Sequence, residues 1–302
     1  MARKALPWAT PSKHTRDMTA RDRTKPDLYA IAWRLPLIVW QGLFFAGPLI
    51  FMVAMSFFLV KNYRMEPAFQ FSNWERMLTR GFFWDAYSLT LWLAVLATVL
   101  TSLAAFPASY YLAFKASERA RRWAIFFLII PFFTSYVVRI FAWQVILAQQ
   151  GVINAGLSYL GLGPYQMLNT TLGTLVGYLT LCLPLAVILQ TFALANIDKR
   201  LVEAAHNLGC GRLRTVFTVV VPLAKTGLIV AAVFCFILSF GDFVSPYYLG
   251  GSKPPTLSIM IVDTSKSGQQ WPRAAVVAIM MIITLLVVAF AAIGFAYRKR
   301  GR

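Results

Sequence analysis

Charged side chains are scarce in this chain, at 13% of 302 residues, and acidic ones are scarcest, with 11 Asp and Glu against 29 Lys and Arg. Soluble domains carry about a quarter charged residues, so a water-facing surface over the whole molecule is excluded. Disorder is excluded too, because 59% of the residues are apolar. The two histidines, His14 and His206, and the three cysteines, Cys182, Cys210 and Cys235, show no metal-ligand spacing. No glycine-rich phosphate loop follows a strand, and no serine stands in a nucleophile elbow. No catalytic residue and no metal site is therefore expected, and any ATP the protein uses must be bound by another chain.

What the chain does have is long apolar runs. A bilayer core of about 30 Å needs roughly 20 helical residues. Six runs meet that length: Leu35–Val60, Leu89–Phe114, Trp123–Ala148, Leu172–Ala195, Thr226–Leu249 and Ala274–Tyr297. The first follows a polar tail and is too long for a signal-peptide core. The expected fold class is an all-α integral membrane protein with six transmembrane helices. Its parts are a basic tail over 1–34, a first helix and external loop over 35–88, a core of five helices over 89–297 with a polar insert at 196–225, and a basic tail over 298–302.

The cations alternate along this plan. The N-terminal tail, the turn "KASERARR", the insert and the C-terminal "RKRGR" hold eight, four, five and four Lys/Arg, while the intervening loops hold four, none and three. Loops rich in Lys and Arg stay cytoplasmic, so both termini and the insert are expected there. The net charge of +18 then reflects topology and not nucleic-acid binding. Gly47-Pro48 is expected to kink the first span. The aromatic loop after it is expected to rest on the outer membrane surface as interfacial helix. In the last external loop, Gly250-Gly251 and Pro254-Pro255 bar a continuous helix. No sequence repeat supports an inverted-repeat carrier.

The insert "DKRLVEAAHNLGCGRLRTVFTVVVPLAKTG" reads as two short helices joined by a glycine elbow. Asp198 suits an N-cap. Leu201, Ala204, Ala205 and Leu208 recur at helical spacing and give one apolar face, with Glu203 off that stripe. Gly209 suits the left-handed position that ends a helix, Gly211 a second sharp turn, and Pro222 is expected to break the second helix before the fifth span. So short an amphipathic helix is marginal alone and needs a partner surface.

"EAAHNLGCGRLRTVFTVVVPLAK" resembles the EAA loop of the permeases of binding-protein-dependent (type I) ABC importers, at Glu203, Ala204, Ala205, Gly209 and Pro222. Val221 stands where that family usually has Leu, and Cys210 falls where its pattern is loose. The resemblance implies a subunit of the bacterial cytoplasmic (inner) membrane that is itself no enzyme. Its implied partners are a cytoplasmic ATPase dimer holding ATP and magnesium, a second permease of a different chain, and an extracytoplasmic solute-binding protein. Loop 196–225 would be the coupling loop. Asp198 would cap its helix, Leu201, Ala205 and Leu208 would insert into the ATPase, and Glu203 would face a donor site there.

"IIPFFTSYVVRIFAWQVIL", "GVINAGLSYLGL", "FGDFVSPYYLGGSK" and "QQWPRAAVVAIMM" are similar to stretches of the spermidine/putrescine-type permeases, a subgroup that also serves opines, aminoalkylphosphonates and other small polar solutes. A cationic solute needs carboxylates and aromatic faces on its path. Asp242 is the one carboxylate in an expected span, with Phe240 and Phe243 beside it, and Phe133, Tyr136, Trp143, Tyr247 and Tyr248 supply further rings. Arg139 lies about 24 Å along its span, at the same estimated height as Asp242. The two are expected either to pair when the outer gate is shut or to reach the wet interface separately. The competing class, a proton-coupled carrier, would need ionisable groups at mid-membrane, and these spans hold only that pair near one interface.

Overall fold

The computed structural model describes residues 28–62 and 64–297, and the chain divides into two compact units, Met1–Ala54 and Met55–Arg302. In the first, α1 (Leu28–Gln41) passes through a π-turn, Gly42–Ala46, into α2 (Gly47–Met55). Helix therefore begins inside the expected tail, and Arg34 rides on it. The rest of that tail and residues 298–302 lie outside the described residues. The π-turn accommodates the proline. The Gly47 N–H bonds the Gly42 carbonyl five residues back, and the next residue, Pro48, has no N–H to give.

The second unit opens where the first apolar run leaves helix, at Met55 and not at the expected Val60. A short hairpin follows, β1 (Leu59–Lys61) antiparallel to β2 (Arg64–Glu66), then α3 (Ser72–Leu78). Asn73 of α3 donates from Nδ2 to the carbonyls of Ser56 and Phe58, at 3.0 and 2.8 Å. Those carbonyls are thus satisfied without a further helical turn. Around them Phe57 stacks on Phe69 at 4.8 Å and meets Phe71 edge-on at 5.3 Å. The expected interfacial loop is therefore a hairpin and one short helix, organised by Asn73 and an aromatic cluster.

α4 (Gly81–Tyr110) runs on through a π-turn, Tyr111–Lys115. The third apolar run is split into α5 (Glu118–Phe133) and α6 (Tyr136–Leu147), with α7 (Val152–Ser158) after it. At the break the Thr134 hydroxyl donates to the Pro131 carbonyl at 3.0 Å, taking an acceptor the helix would otherwise use. Then come α8 (Thr171–Ala195), α9 (Lys199–Asn207), α10 (Arg212–Thr215), a π-turn at Val216–Val220, and α11 (Val221–Gly241). α12 (Val244–Tyr248), α13 (Leu257–Gly268) and α14 (Trp271–Tyr297) complete the chain. The loop expected to be the last external one is thus less irregular than expected, since helix resumes two residues after Pro255.

Six helical stretches among the described residues are long and apolar enough to cross a membrane: Trp33–Met55, Gly81–Lys115, Tyr136–Ser158, Thr171–Ala195, Arg212–Gly241 and Trp271–Tyr297. α4, α8 and α11 pack on one another at the centre of the second unit; α14 lies against α11 and α13, α5 against α8, and α6 against α12. Small residues permit the close approach: Ala94, Ala97, Ala105, Ala186 and Ala231 are fully buried, and a Cβ on Gly227 would strike Ala193. One end is sealed by Phe83, Phe236, Phe240, Leu257 and Val277, the other by Ala113, Leu194, Val202, Val220 and Ala224. Large apolar side chains such as Trp92, Leu103, Phe126 and Phe290 stand exposed, as a molecule solvated by hydrocarbon requires.

Candidate functional site

The coupling segment is built by its caps. Asp198 Oδ1 accepts from the Arg200 N–H at 3.0 Å and starts α9. Gly209, at φ +80°, stops it. The Cys210 N–H bonds the Ala205 carbonyl and the Gly209 N–H bonds the His206 carbonyl, the paired bonds of a Schellman ending. Nothing lies within 4 Å of a Cβ built on Gly209, so its backbone conformation and not crowding calls for glycine. Gly211, at φ −66° and ψ 159°, has an ordinary conformation and serves as the cap of α10, contrary to the expected second glycine turn.

Pro222 does not break the chain before the fifth span. The Val221 N–H bonds the Val216 carbonyl five residues back, and Pro222 follows with no N–H, so α10, the π-turn and α11 run on as one helical stretch. The same device carries the first span past Pro48.

The apolar face of α9 is divided. Val202 is buried against the base of the bundle with Ala113, Leu194 and Val220, and Ala205 is buried on the same helix. Leu201 and Leu208 are 48% and 85% exposed, and Ala204 and Glu203 are exposed beside them. Ala205 is thus covered within this chain and offers no surface to a partner, a correction to the expected stripe. Val202, missed in the sequence, anchors α9 to the bundle. Leu201, Ala204 and Leu208 form the free edge, and Glu203 makes no ion pair among the described residues.

At the other end Asp242 closes α11 and opens α12. Its carboxylate accepts from the N–H groups of Val244 and Ser245, at 2.9 and 3.2 Å, from the Ser245 hydroxyl, and from the Tyr136 hydroxyl at 2.7 Å. Its own carbonyl accepts from the Ser258 hydroxyl at 2.8 Å. Asp242 is 8% exposed. Tyr136 is the first residue of α6, so one carboxylate ties the breaks in the third and fifth spans together, and the main-chain carbonyl of the same residue holds α13 to them. α8 comes close because a Cβ on Gly177 would collide with Ser245. Ser245 and Ser258 were missed in the sequence; Ser245, three residues after a capping Asp, carried the signal.

Arg139 and Asp242 form no ion pair in this conformation. The carboxylate is filled by other donors, and Tyr136 stands between, its ring 5.6 Å from the Arg139 guanidinium carbon; the one ion pair among the described residues is Arg121–Glu118. Phe240 is fully buried and stacks on Phe236 at 5.4 Å, so it belongs to the core and not to a path. Trp143 packs against Ile140, Leu147 and Leu249. Phe243 stacks on half-exposed Tyr247 at 5.0 Å, and Phe133 is 86% exposed on the chain's outside. The structure brings together Tyr136, Arg139 and Asp242, and separately Phe243 and Tyr247. No group of three or more His, Cys, Asp or Glu that could hold a metal occurs among the described residues.

A bundle of helices long and apolar enough to cross a membrane, a capped helix packed at one end and a buried polar junction near the other define a multi-pass membrane protein. Residues 98–300 match the family described as "Binding-protein-dependent transport system inner membrane component", and the chain belongs to that family. The chain is 29% identical over 265 residues to the inner membrane ABC transporter permease protein YdcU of Escherichia coli, covering 82% of this chain and 83% of the relative. It is 26% identical over 252 residues to the spermidine/putrescine transport system permease protein PotB of the same organism, covering 82% and 91%. In fold it is similar to the bacterial alginate ABC transporter crystallised with an alginate pentasaccharide-bound periplasmic protein, with a TM-score of 0.70 at 19% identity over 95% of this chain and 98% of that one. The chain is the permease component of a binding-protein-dependent ABC importer and a multi-pass membrane protein.

Proposed function

We propose that this chain is one of two permeases, the other a different chain, in an inner-membrane importer of polyamines such as spermidine or putrescine. A separate ATPase dimer, holding ATP and magnesium, grips α9 from the cytoplasm, where both termini also lie. The observation that carries the coupling role is the free edge Leu201, Ala204 and Leu208 on a helix whose other side is fixed to the bundle. An apolar edge held rigid in water-facing surroundings fits a partner's groove. A secreted binding protein delivers the solute to the opposite end, where Lys253 is exposed just before α13 and Lys266 in its last turn. Similarity to PotB supports the polyamine.

A second reading, import of another small polar solute such as an opine or aminoalkylphosphonate, draws on one observation. In this conformation Asp242 is saturated with donors and Arg139 stands over the ring of Tyr136, one of those donors, so this junction offers no free anion to an amine. The deciding experiment is uptake into proteoliposomes holding the full complex with its binding protein. The polyamine reading expects ATP-dependent accumulation of labelled spermidine or putrescine, blocked by the unlabelled amine. Uptake of an opine or aminophosphonate that polyamines do not compete with would replace it by the second reading.

A further inference from the structure

Two cavities at the α9 end of the second unit adjoin, sharing three residues of their walls. The outer, of about 570 Å³, lies between the end of α4 and the coupling segment, with Lys115, His206, Arg212 and the rings of Tyr110 and Tyr111 on its wall. The inner, of about 420 Å³, shares Phe106, Pro107 and Phe217 with it and continues between α4 and α11 along Leu103, Leu228 and Ala232. No carboxylate lines either cavity. Lys115 and Arg212 form no ion pair among the described residues. The His206 ring is held in place by Nδ1 against the Cys210 carbonyl, at 3.1 Å.

Depth and chemistry limit the occupant. Lys115 is the last residue of one membrane-crossing stretch and Arg212 the first of another, so both stand at the polar ends of their stretches, at the same end of the bundle, where Lys and Arg side chains reach headgroups. From Lys115 back to Ser102, on the inner wall, is about 20 Å of helix, close to one leaflet with its interface. A cationic solute is repelled at the mouth. A peptide segment would need its backbone polar groups satisfied inside. The inner wall has only Ser102 and Gln190: Gln190 Nε2 is engaged with the Ser102 carbonyl at 3.2 Å, while the Ser102 hydroxyl and Gln190 Oε1 are unpaired but buried out of an occupant's reach. A hydrocarbon chain has no such need, and an anionic head matches the cations.

We propose that the adjoining cavities bind one anionic phospholipid of the surrounding leaflet. Its phosphate lies against Lys115 and Arg212 beside His206, and one acyl chain runs past Phe106 and Phe217 toward Ala232. Because His206 and Arg212 belong to the coupling segment, the lipid joins that segment to the base of α4.

Native mass spectrometry of the detergent-purified complex, titrated with phosphatidylglycerol or with phosphatidylcholine, tests this. Expected is one phosphatidylglycerol retained in preference to phosphatidylcholine, with affinity falling about tenfold or more in Lys115→Gln/Arg212→Gln. Ala232→Phe keeps both charges but fills the inner cavity, and it should weaken retention as well. Arg119→Gln/Arg122→Gln, at a separate basic rim by Trp123, should leave it unchanged. Equal retention by wild type and Lys115→Gln/Arg212→Gln overturns the proposal, as does an equal loss in Arg119→Gln/Arg122→Gln, which marks general adsorption. Displacement of the lipid by inorganic phosphate alone, with Ala232→Phe indifferent, reduces the site to an anion site and also overturns it. If the double variant fails to assemble, the single variants and Ala232→Phe read the same outcome. Failure here leaves the transport reading untouched, since no solute is involved.

Discussion

Both oxygens of Asp242 accept a backbone N–H, Oδ1 from Val244 and Oδ2 from Ser245. Asn at this position must therefore set an amide donor against a backbone donor, whichever way it is turned. Asp242→Asn is expected to destabilise the subunit by about 1–3 kcal/mol, read as a lower unfolding midpoint of the purified complex. Tyr136→Phe should cost less, about 1 kcal/mol, as interhelical hydrogen bonds in membranes do. A Asp242→Asn variant of unchanged stability, altered only in solute affinity, would show that Asp242 is a ligand for solute and not the junction of the broken spans. The sequence displayed Asp242 as the one acid in an apolar run, and so as a residue with a purpose. It did not display Tyr136 as its partner, because that contact joins residues 106 positions apart and depends on where two helices break.

The caps of α9 were legible because capping is local: Asp198 and Gly209 act on their own helix. Gly209, at φ +80°, is disfavoured for a β-branched residue by about 1–2 kcal/mol or more. Gly209→Val is expected to abolish solute-stimulated ATP hydrolysis while the protein still inserts, and Gly209→Asn, which tolerates this conformation better, should retain part of it. Wild-type stimulation in Gly209→Val would mean that the shape of this ending does not matter to coupling. The division of the helix's apolar face was not legible. Val202 and Leu201 are adjacent in sequence, and only the position of Val220 and Leu194 decides which one is buried. The course of the helix at Pro222 was not legible for a related reason: local rules say that proline breaks a helix, but a π-turn just upstream lets this one continue, as another does at Pro48.

At the scale of the molecule, six crossing stretches and their order followed from hydropathy alone, since hydrocarbon selects long apolar helices before any packing detail matters. Their ends did not, because α4 and α11 extend beyond their apolar runs into sequence stabilised by neighbouring helices. The same bundle leaves Leu201, Ala204 and Leu208 uncovered at one end, and the account's central claim is that an ATPase covers them. Cross-linking from Leu208→Cys, in a Cys210→Ser background and in the assembled importer, addresses this most directly. Cys182 and Cys235 are buried and should not compete for the reagent. The account predicts a cross-link to the ATPase subunit whose yield changes when ATP is bound. Cross-links confined to this chain, with the ATPase present and active, would contradict it.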